Sequence, residues 1–170
     1  MNHEIIPSHK DIAGEIESIH KLDQETRAKG SFDLEIDNQN SEKIKSIYEQ
    51  IGFPTISKVG KSASHHFVTI LLHSQDIEFK KKVLNDMRNL TNEEIDKRDM
   101  AYLEDKIRIA EGEKQLYGTQ LTFNKEKQAY EIIDLENHEL VNIRRLEVGL
   151  DTLEDYIEFA NRRRKEVFGK

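Results

Sequence analysis

The segment 62–73 constrains the fold more than any other, because it is apolar on nearly every helical face. Its apolar positions recur at helical spacing and include Ala63, Phe67, Ile70 and Leu71. A helix of this kind needs neighbours on all sides, so we expect it at the centre of a bundle. The chain has only two prolines and eight glycines in 170 residues, which favours long regular elements around it.

Apolar residues at steps of three and four predict further helices. We expect them at about residues 8–28, 41–51, 77–90, from about Thr91 toward Gly112, and 152–167, with a short helical segment at 138–146. Lys29–Asp37 is expected to be a loop. The clearest stop signal is Gly52 followed by Pro54, because glycine takes the left-handed cap and proline prevents the helix from resuming.

The period of the pattern changes after Gln120. The segments 121–123 and 130–133 flank a polar connection, which is typical of a small β-hairpin. We therefore predict a mainly α fold in a single domain over residues 1–170. It is a helical bundle of about five to six helices, with a small β-hairpin appended near 121–133.

Composition excludes several classes of function. The formal net charge of −7 argues against binding to nucleic acid or to an anionic membrane. Without cysteine, the chain has no disulfide framework, thiolate metal site or cysteine nucleophile. No apolar run has the character of a signal peptide or the length of a membrane span. We predict a soluble, cytoplasmic protein whose partner is an unknown small molecule or another protein.

Two histidines of the apolar segment are possible metal ligands by residue type. His66 and His73 lie two helical turns apart, about 10 Å of rise, which is too far to share one ion comfortably. We expect His66 to be a core histidine hydrogen-bonded to a neighbour, and His73 to reach both core and cleft. Val59–Ser62 lacks the remaining glycine and the preceding strand of a phosphate-binding loop. The sequence therefore predicts no metal and no cofactor.

The stretch Ala101–Gln120 begins as an amphipathic helix, breaks at Gly112 and ends in a polar cluster. The cluster consists of Gln115, Tyr117, Thr119 and Gln120. A solvated turn does not need such a set, whereas a ligand site or a buried polar junction does. On the first helix, Asp23 and Arg27 lie at i and i+4, a spacing that by itself is typical of a surface ion pair.

Short motifs follow one another in order along most of the chain. They are D-Q-E-T-R (Asp23–Arg27), D-N-Q-N with Asp37 and Asn40, I-G-F-P (Ile51–Pro54), V-G (Val59 and Gly60), H-S-Q-D (His73–Asp76), A-Y-L-E-D-K (Ala101–Lys106), Q-L-Y-G-T-Q (Gln115–Gln120) and R-R-L-E-V-G-L with Tyr156. Together they resemble the bacterial domain of unknown function DUF6624 over about residues 23–156. Members of that family usually carry Gln and Arg where this chain has Leu72 and Lys106.

The resemblance implies candidate positions but no reaction, because the family name carries no established activity. The catalytic candidates are His73 as proton carrier, Asp76 or Asp105 as the carboxylate that orients it, and Tyr117. The ligand-binding candidates are Asp23, Gln24, Arg27, Asn40, Lys106, Gln115, Thr119, Gln120 and Arg145. Arg27 or Lys106 would hold a carboxylate or phosphate of the ligand.

The sequence leaves three interpretations open. In the first, the candidates line a polar cleft of an acid–base enzyme or of a binder of a small anionic or amide-bearing ligand. In the second, they form a buried network that only fixes packing. In the third, the chain is a protein-interaction module, such as a regulator or an immunity-type protein, and its polar cluster is structural.

Overall fold

The computed structural model describes residues 8–28 and 34–169. Its helices are α1 (His9–Ala28), α2 (Leu34–Ile51), α3 (Ile56–Val59), α4 (Lys61–His73), α5 (Ile77–Arg88), α6 (Lys97–Ala110), α7 (Val141–Glu147) and α8 (Leu153–Phe168). The strands β1 (Leu121–Asn124) and β2 (Ala129–Ile132) form the sheet, and a 3₁₀ turn at His138–Leu140 precedes α7. The predicted mainly α fold with a small hairpin is confirmed.

Backbone contacts divide the chain into two compact units. Unit 1 is Met1–Asp99 and unit 2 is Met100–Lys170. The organisation as a single domain over residues 1–170 stays a prediction.

In unit 1, α4 is the central helix. It packs against α1, α2 and α3. Its side chains Phe67 and Leu71 are completely buried, as are Ile16 on α1 and Ile44 on α2. The apolar segment 62–73 therefore lies where its pattern predicts, since only a helix with neighbours on several sides can bury apolar residues on several faces.

The predicted loop Lys29–Asp37 is partly wrong. Residues 29–33 lie outside the described residues, but α2 begins at Leu34, seven residues before the predicted start of that helix. The apolar stripe starts only at Ile44, so it gave no signal for the first turns. Those turns carry Glu35 and Asp37, and acidic residues stabilise the N-terminal end of a helix dipole. The predicted stop is confirmed: Gly52 has φ of 70° and donates its backbone N–H to the carbonyl of Tyr48.

In unit 2, the hairpin is anchored to a helix. Strands β1 and β2 are antiparallel, with Phe123 opposite Tyr130, and β2 packs against α8. The Asn161 side chain of α8 accepts a hydrogen bond from the backbone N–H of Tyr130 and donates one to its carbonyl. This support matters because an isolated two-stranded hairpin is at best marginally stable in water.

No helix in the described ranges has the length and apolar character needed to cross a membrane.

Candidate functional site

At the end of α4 in unit 1, three charged or titratable side chains meet. The Nδ1 atom of His73 lies 3.1 Å from Oδ1 of Asp23 and 3.0 Å from Nε of Arg27. Arg27 Nε also lies 3.3 Å from both carboxylate oxygens of Asp23. The folding of α1 brings Asp23 and Arg27 to one face, and the packing of α1 on α4 adds His73 to them.

The proton on His73 decides which of these contacts is a hydrogen bond. With hydrogen on Nδ1, the ring donates to Asp23 and leaves the lone pair on Nε2. With hydrogen on Nε2, Nδ1 accepts from the Nε–H of Arg27 instead. Nε2 has no hydrogen-bond partner within the described ranges, and the side chain is 26% exposed. Among the described residues, the protein therefore holds the ring through Nδ1 and not through Nε2.

Asp23 is the buried anchor of this group. Its side chain is 1% exposed. Burial alone would raise the pKa of this carboxyl, but the hydrogen bonds and positive charges of His73 and Arg27 outweigh it and lower the pKa to about 2. Gln24 adds a donor, with Nε2 3.0 Å from Oδ2 of Asp23. The carboxylate is therefore ionised over the ordinary pH range.

Arg27 joins this pair to α2. Its Nη2 atom lies 2.6 Å from Oδ1 of Asp37, so the guanidinium bridges two carboxylates. Asp37 belongs to the D-N-Q-N motif but is not among the site residues that the sequence predicts. The signal was hidden because Arg27 and Asp37 are ten residues apart in sequence and meet only when α1 packs on α2.

Asn40 follows Asp37 on the same face of α2. Its side chain is 2% exposed, and neither its amide nitrogen nor its carbonyl oxygen has a hydrogen-bond partner among the described residues. The next residue, Ser41, forms a hydrogen bond with Ser74, the residue that directly follows His73. Their hydroxyl oxygens are 2.7 Å apart. Asn40 therefore lies between a contact of α2 with α1, through Asp37 and Arg27, and a contact of α2 with the residue that follows α4, through Ser41 and Ser74.

Asp76 is not hydrogen-bonded to His73 in the described part of the structure. Its Oδ1 caps α5 by accepting the backbone N–H of Phe79 at 2.8 Å, and Oδ2 pairs with the ammonium of Lys45. It lines a surface groove of about 500 Å³ together with Tyr48 and Lys82. The carboxylate within hydrogen-bond distance of His73 is Asp23, whereas both oxygens of Asp76 are held by other groups. The structure therefore gives no support to the expectation that Asp76 orients the ring.

His66 is hydrogen-bonded to a neighbour, as expected, but its side chain is 21% exposed, so it lies at the edge of the core and not within it. Its Nδ1 lies 2.7 Å from Oε2 of Glu17 on α1. Its ring also stacks on that of His20, with centroids 3.6 Å apart and planes 8° from parallel, a contact not expected from the sequence. Burial is the largest cause of the lowered pKa of His20, and the neighbouring His66 lowers it further.

In unit 2, one carboxylate organises the polar loop 115–120. Asp105 is completely buried on α6. Its Oδ1 accepts the backbone N–H groups of Leu116 and Tyr117, and its Oδ2 accepts the backbone N–H and the hydroxyl of Thr119, all at 2.7 to 3.1 Å. A carboxylate has about four acceptor sites, so Asp105 is saturated by its own loop.

Gln115 uses its side chain in the same way. Its amide nitrogen donates to the carbonyls of Gln120 and Ile133, and its amide oxygen accepts the backbone N–H of Gln120. The side chain of Gln120 in turn donates to the hydroxyl of Thr119. Gln115 thus closes the loop across its two ends and ties it to the segment after β2.

Arg145 holds the loop from the other side. It is 1% exposed, and its guanidinium donates to the carbonyls of Tyr117, Gly118 and Asp151. It also lies over the ring of Tyr156, 5.0 Å from the centroid, and the Tyr156 hydroxyl donates to the carbonyl of Thr119. Burial lowers the pKa of Arg145.

Two candidates of unit 2 are less enclosed. The side chain of Tyr117 is partly buried, and burial together with the charges of Glu104 and Asp105 raises its pKa. Lys106 is also partly buried, and it makes no ion pair in the part of the chain that the structure describes.

The candidate residues therefore form two groups. In unit 1, Asp23, Gln24, Arg27 and His73 are in direct contact, with Asn40 on the adjoining face of α2. In unit 2, the residues joined through the loop are Asp105, Gln115, Tyr117, Thr119, Gln120 and Arg145. Their roles as catalytic or ligand-binding residues stay predictions.

Comparison with known proteins gives one match. The model of the family described as "Family of unknown function (DUF6624)" matches residues 28–164. No curated protein sequence and no solved structure matches the chain.

Proposed function

Because the chain belongs to the family of unknown function DUF6624, whose name assigns no chemistry, we propose its function from the geometry: an acid–base site in which His73 transfers a proton to or from a small bound molecule. The observation that carries the proposal is the 3.1 Å contact of Nδ1 of His73 with the buried, ionised Asp23, while Nε2 has no hydrogen-bond partner among the described residues. The Nε–H of Arg27, 3.0 Å from Nδ1, favours the opposite tautomer, so the tautomer is the first property to measure. A carboxylate on Nδ1–H selects the tautomer in which Nε2 is the proton acceptor.

Each neighbour has a defined part in this proposal. Asp23 orients the ring and stabilises the cation that forms when Nε2 takes a proton. Asp37 holds Arg27 in place through an ion pair. Arg27 and Gln24 both bond Asp23, so the carboxylate that supports the ring is itself held rigidly. Supported geometry of this kind makes proton transfer to a bound molecule efficient, typically by about 10²- to 10⁴-fold.

The polar loop 115–120 of unit 2 is the other candidate site, and its hydrogen bonds favour His73 over it as the site of proton transfer. All four acceptor sites of Asp105 and the side chain of Gln115 are taken by backbone and side-chain groups of unit 2. A ligand could bind these groups only by breaking hydrogen bonds that hold the loop. This favours a structural role for Asp105, Gln115, Thr119 and Arg145, in line with the second interpretation of the sequence.

The tautomer of His73 is the first test. Long-range ¹H–¹⁵N spectra of the ¹⁵N-labelled protein should show hydrogen on Nδ1 and an unprotonated Nε2 near pH 8. In Asp23→Asn, the amide can present either an oxygen or an NH₂ group to Nδ1, so the preference should weaken. Hydrogen on Nε2 in the wild-type protein would overturn the proposal, since that nitrogen could not then act as a base.

The second test looks for the molecule. A metabolite mixture is screened by thermal shift against the wild-type protein, His73→Asn and His66→Asn, and hits are followed for chemical conversion. Asparagine can keep a hydrogen bond to Asp23 or Glu17 but cannot exchange a proton. We expect conversion to fall by about 10²-fold or more in His73→Asn and to persist in His66→Asn. Equal conversion by both variants contradicts the proposal.

A further inference from the structure

Asn40 is a polar side chain of this region that the proton-transfer proposal does not use. Both atoms of its carboxamide are buried and lack partners among the described residues. A buried donor or acceptor left unsatisfied destabilises the fold, because it loses its hydrogen bonds to water and gains none in return. Native proteins rarely keep such groups, so each one needs an explanation, and a bound molecule that satisfies it is one.

The position of Asn40 points to the His73 region. It lies three residues after Asp37, which holds Arg27, and directly before Ser41, which bonds Ser74. Residues three and four apart share one face of a helix. Asp37, Asn40 and Ser41 therefore all face the side of α2 that packs on α1 and α4.

The charges around this region disfavour an anion. The guanidinium of Arg27 already bridges Asp23 and Asp37. The buried ammonium of Lys80 donates to the carbonyls of Leu72 and Ser74 at the end of α4. Both cations are thus matched by negative or partially negative groups, and two carboxylates would repel a further negative charge.

Resting on the proposed function, we infer that the molecule handled at His73 is neutral and carries an amide-type edge, a donor beside an acceptor, which the carboxamide of Asn40 recognises. A carboxamide, a lactam and a urea all have this edge. One such group satisfies both atoms of Asn40 with two parallel hydrogen bonds, whereas a carboxylate offers only acceptors and leaves the carbonyl oxygen of Asn40 facing a negative charge. This chooses the amide-bearing class over the anionic class that the sequence left open.

Acetamide and acetate test this choice because they have the same shape. They differ at one position, where acetamide has an NH₂ group and acetate has a negatively charged oxygen. Each is titrated into the ¹⁵N-labelled full chain, with 2-pyrrolidinone as a larger neutral probe. We expect the side-chain NH₂ signals of Asn40 and the ring signals of His73 to shift with the neutral probes. Their affinity should exceed that of acetate by at least roughly tenfold, since a site built around an NH group rejects an analogue that lacks it.

Asn40→Leu supplies the matched variant. It keeps the number and branching of the side-chain heavy atoms and removes the unsatisfied pair, so the free protein should melt at the same or a higher temperature, while the response to acetamide disappears. If the leucine variant does not fold, Asn40→Ala is used in the same titration. Acetate binding as tightly as acetamide would overturn the inference. A clear fall in the melting temperature of Asn40→Leu would also overturn it, since it would show that a buried water satisfies Asn40 instead.

The two proposals fail separately. The tautomer of His73 is measured without any ligand, so a protonated Nε2 removes the proton-transfer proposal by itself. If the tautomer is as expected and neither neutral probe moves the Asn40 signals, only the assignment of the amide-type ligand is lost.

Discussion

The environment of Asp23 makes its charge part of the stability of unit 1. Its pKa is lowered from 3.8 to about 2 in the folded protein by His73 and Arg27. A carboxyl with a depressed pKa contributes stability above its unfolded pKa and loses it as pH falls. We therefore expect about 2 kcal/mol of the free energy of unfolding to be lost between roughly pH 4 and pH 2 through this group.

Asp23→Asn measures that contribution. In urea denaturation followed by circular dichroism, the variant should be less stable than the wild-type protein near pH 7. The difference should shrink as pH falls from 4 to 2, because the wild-type carboxyl is then protonated too. Glu25→Gln removes an exposed carboxylate of the same helix and serves as control. A difference between wild type and Asp23→Asn that stays constant over this range would show that the charge of Asp23 is not responsible.

At this scale, the sequence identified the residue types but not their partners. Spacing on α1 paired Asp23 with Arg27, and the structure confirms that contact at 3.3 Å. Spacing alone is typical of an exposed pair worth little. The pair differs from an exposed one because α2 and α4 bury it. That burial brings in Asp37, ten residues after Arg27, and His73, fifty residues after Asp23. No pattern within one helix contains that information.

At the scale of the element, the loop 115–120 depends on Gly118. Its φ is +64°, and a Cβ added there would lie 3.0 Å from Cδ1 of Leu153 and 3.5 Å from side-chain atoms of Ile132 and Leu135. Gly112 also has a positive φ, of +76°, but a Cβ there would meet nothing within 4 Å. The two glycines thus share the backbone requirement and differ in packing.

This contrast gives a matched pair of variants. Gly112→Ala should cost about 1–2 kcal/mol from the left-handed conformation alone. Gly118→Ala should cost about 1–3 kcal/mol more, because the methyl group overpacks the contact with Leu153. Both values come from urea denaturation at pH 7. Equal costs would mean that the side chains around Gly118 move aside freely and that the loop is less tightly packed than the distances indicate.

The loop also shows what a motif can and cannot predict. Q-L-Y-G-T-Q was recognisable as a polar cluster around a glycine, and its members do meet. The role of these residues could not be inferred from the motif. The same donors and acceptors can bind a ligand when they are unpaired, and they stabilise the loop when they are paired with one another. The deciding facts are the four bonds to Asp105 and the carbonyls held by Arg145, which come from α6 and α7.

At the scale of the whole molecule, local periodicity predicted the elements well where they bury apolar stripes. The central helix and the hairpin follow directly from such patterns. The first turns of α2 did not, since their stability comes from acidic residues at a helix start and from the pairing of Asp37 with Arg27. The number of cooperative folding units is a property of all contacts together, and periodicity does not report it.

The single-domain prediction can be tested with one buried carboxylate from each unit. Asp23 belongs to unit 1 and Asp105 to unit 2, while α6 continues as one helix from Lys97 to Ala110 across the boundary after Asp99. Helix formation is cooperative along a continuous segment. We therefore expect the chain to unfold in a single transition, with the same midpoint for both units.

Urea titrations of ¹⁵N-labelled Asp23→Asn and Asp105→Asn, followed by amide signals from each unit, make the test. Asp105→Asn places an NH₂ group against donors of Thr119 and should cost about 2–4 kcal/mol. If the chain is one cooperative domain, the loss of stability in Asp105→Asn lowers the unfolding midpoint of the signals from both units equally. The loss of stability in Asp23→Asn does the same. Glu126→Gln, at the exposed turn of the hairpin, should change neither midpoint. If Asp105→Asn shifts only the signals of unit 2, the units unfold independently and the single-domain prediction is wrong.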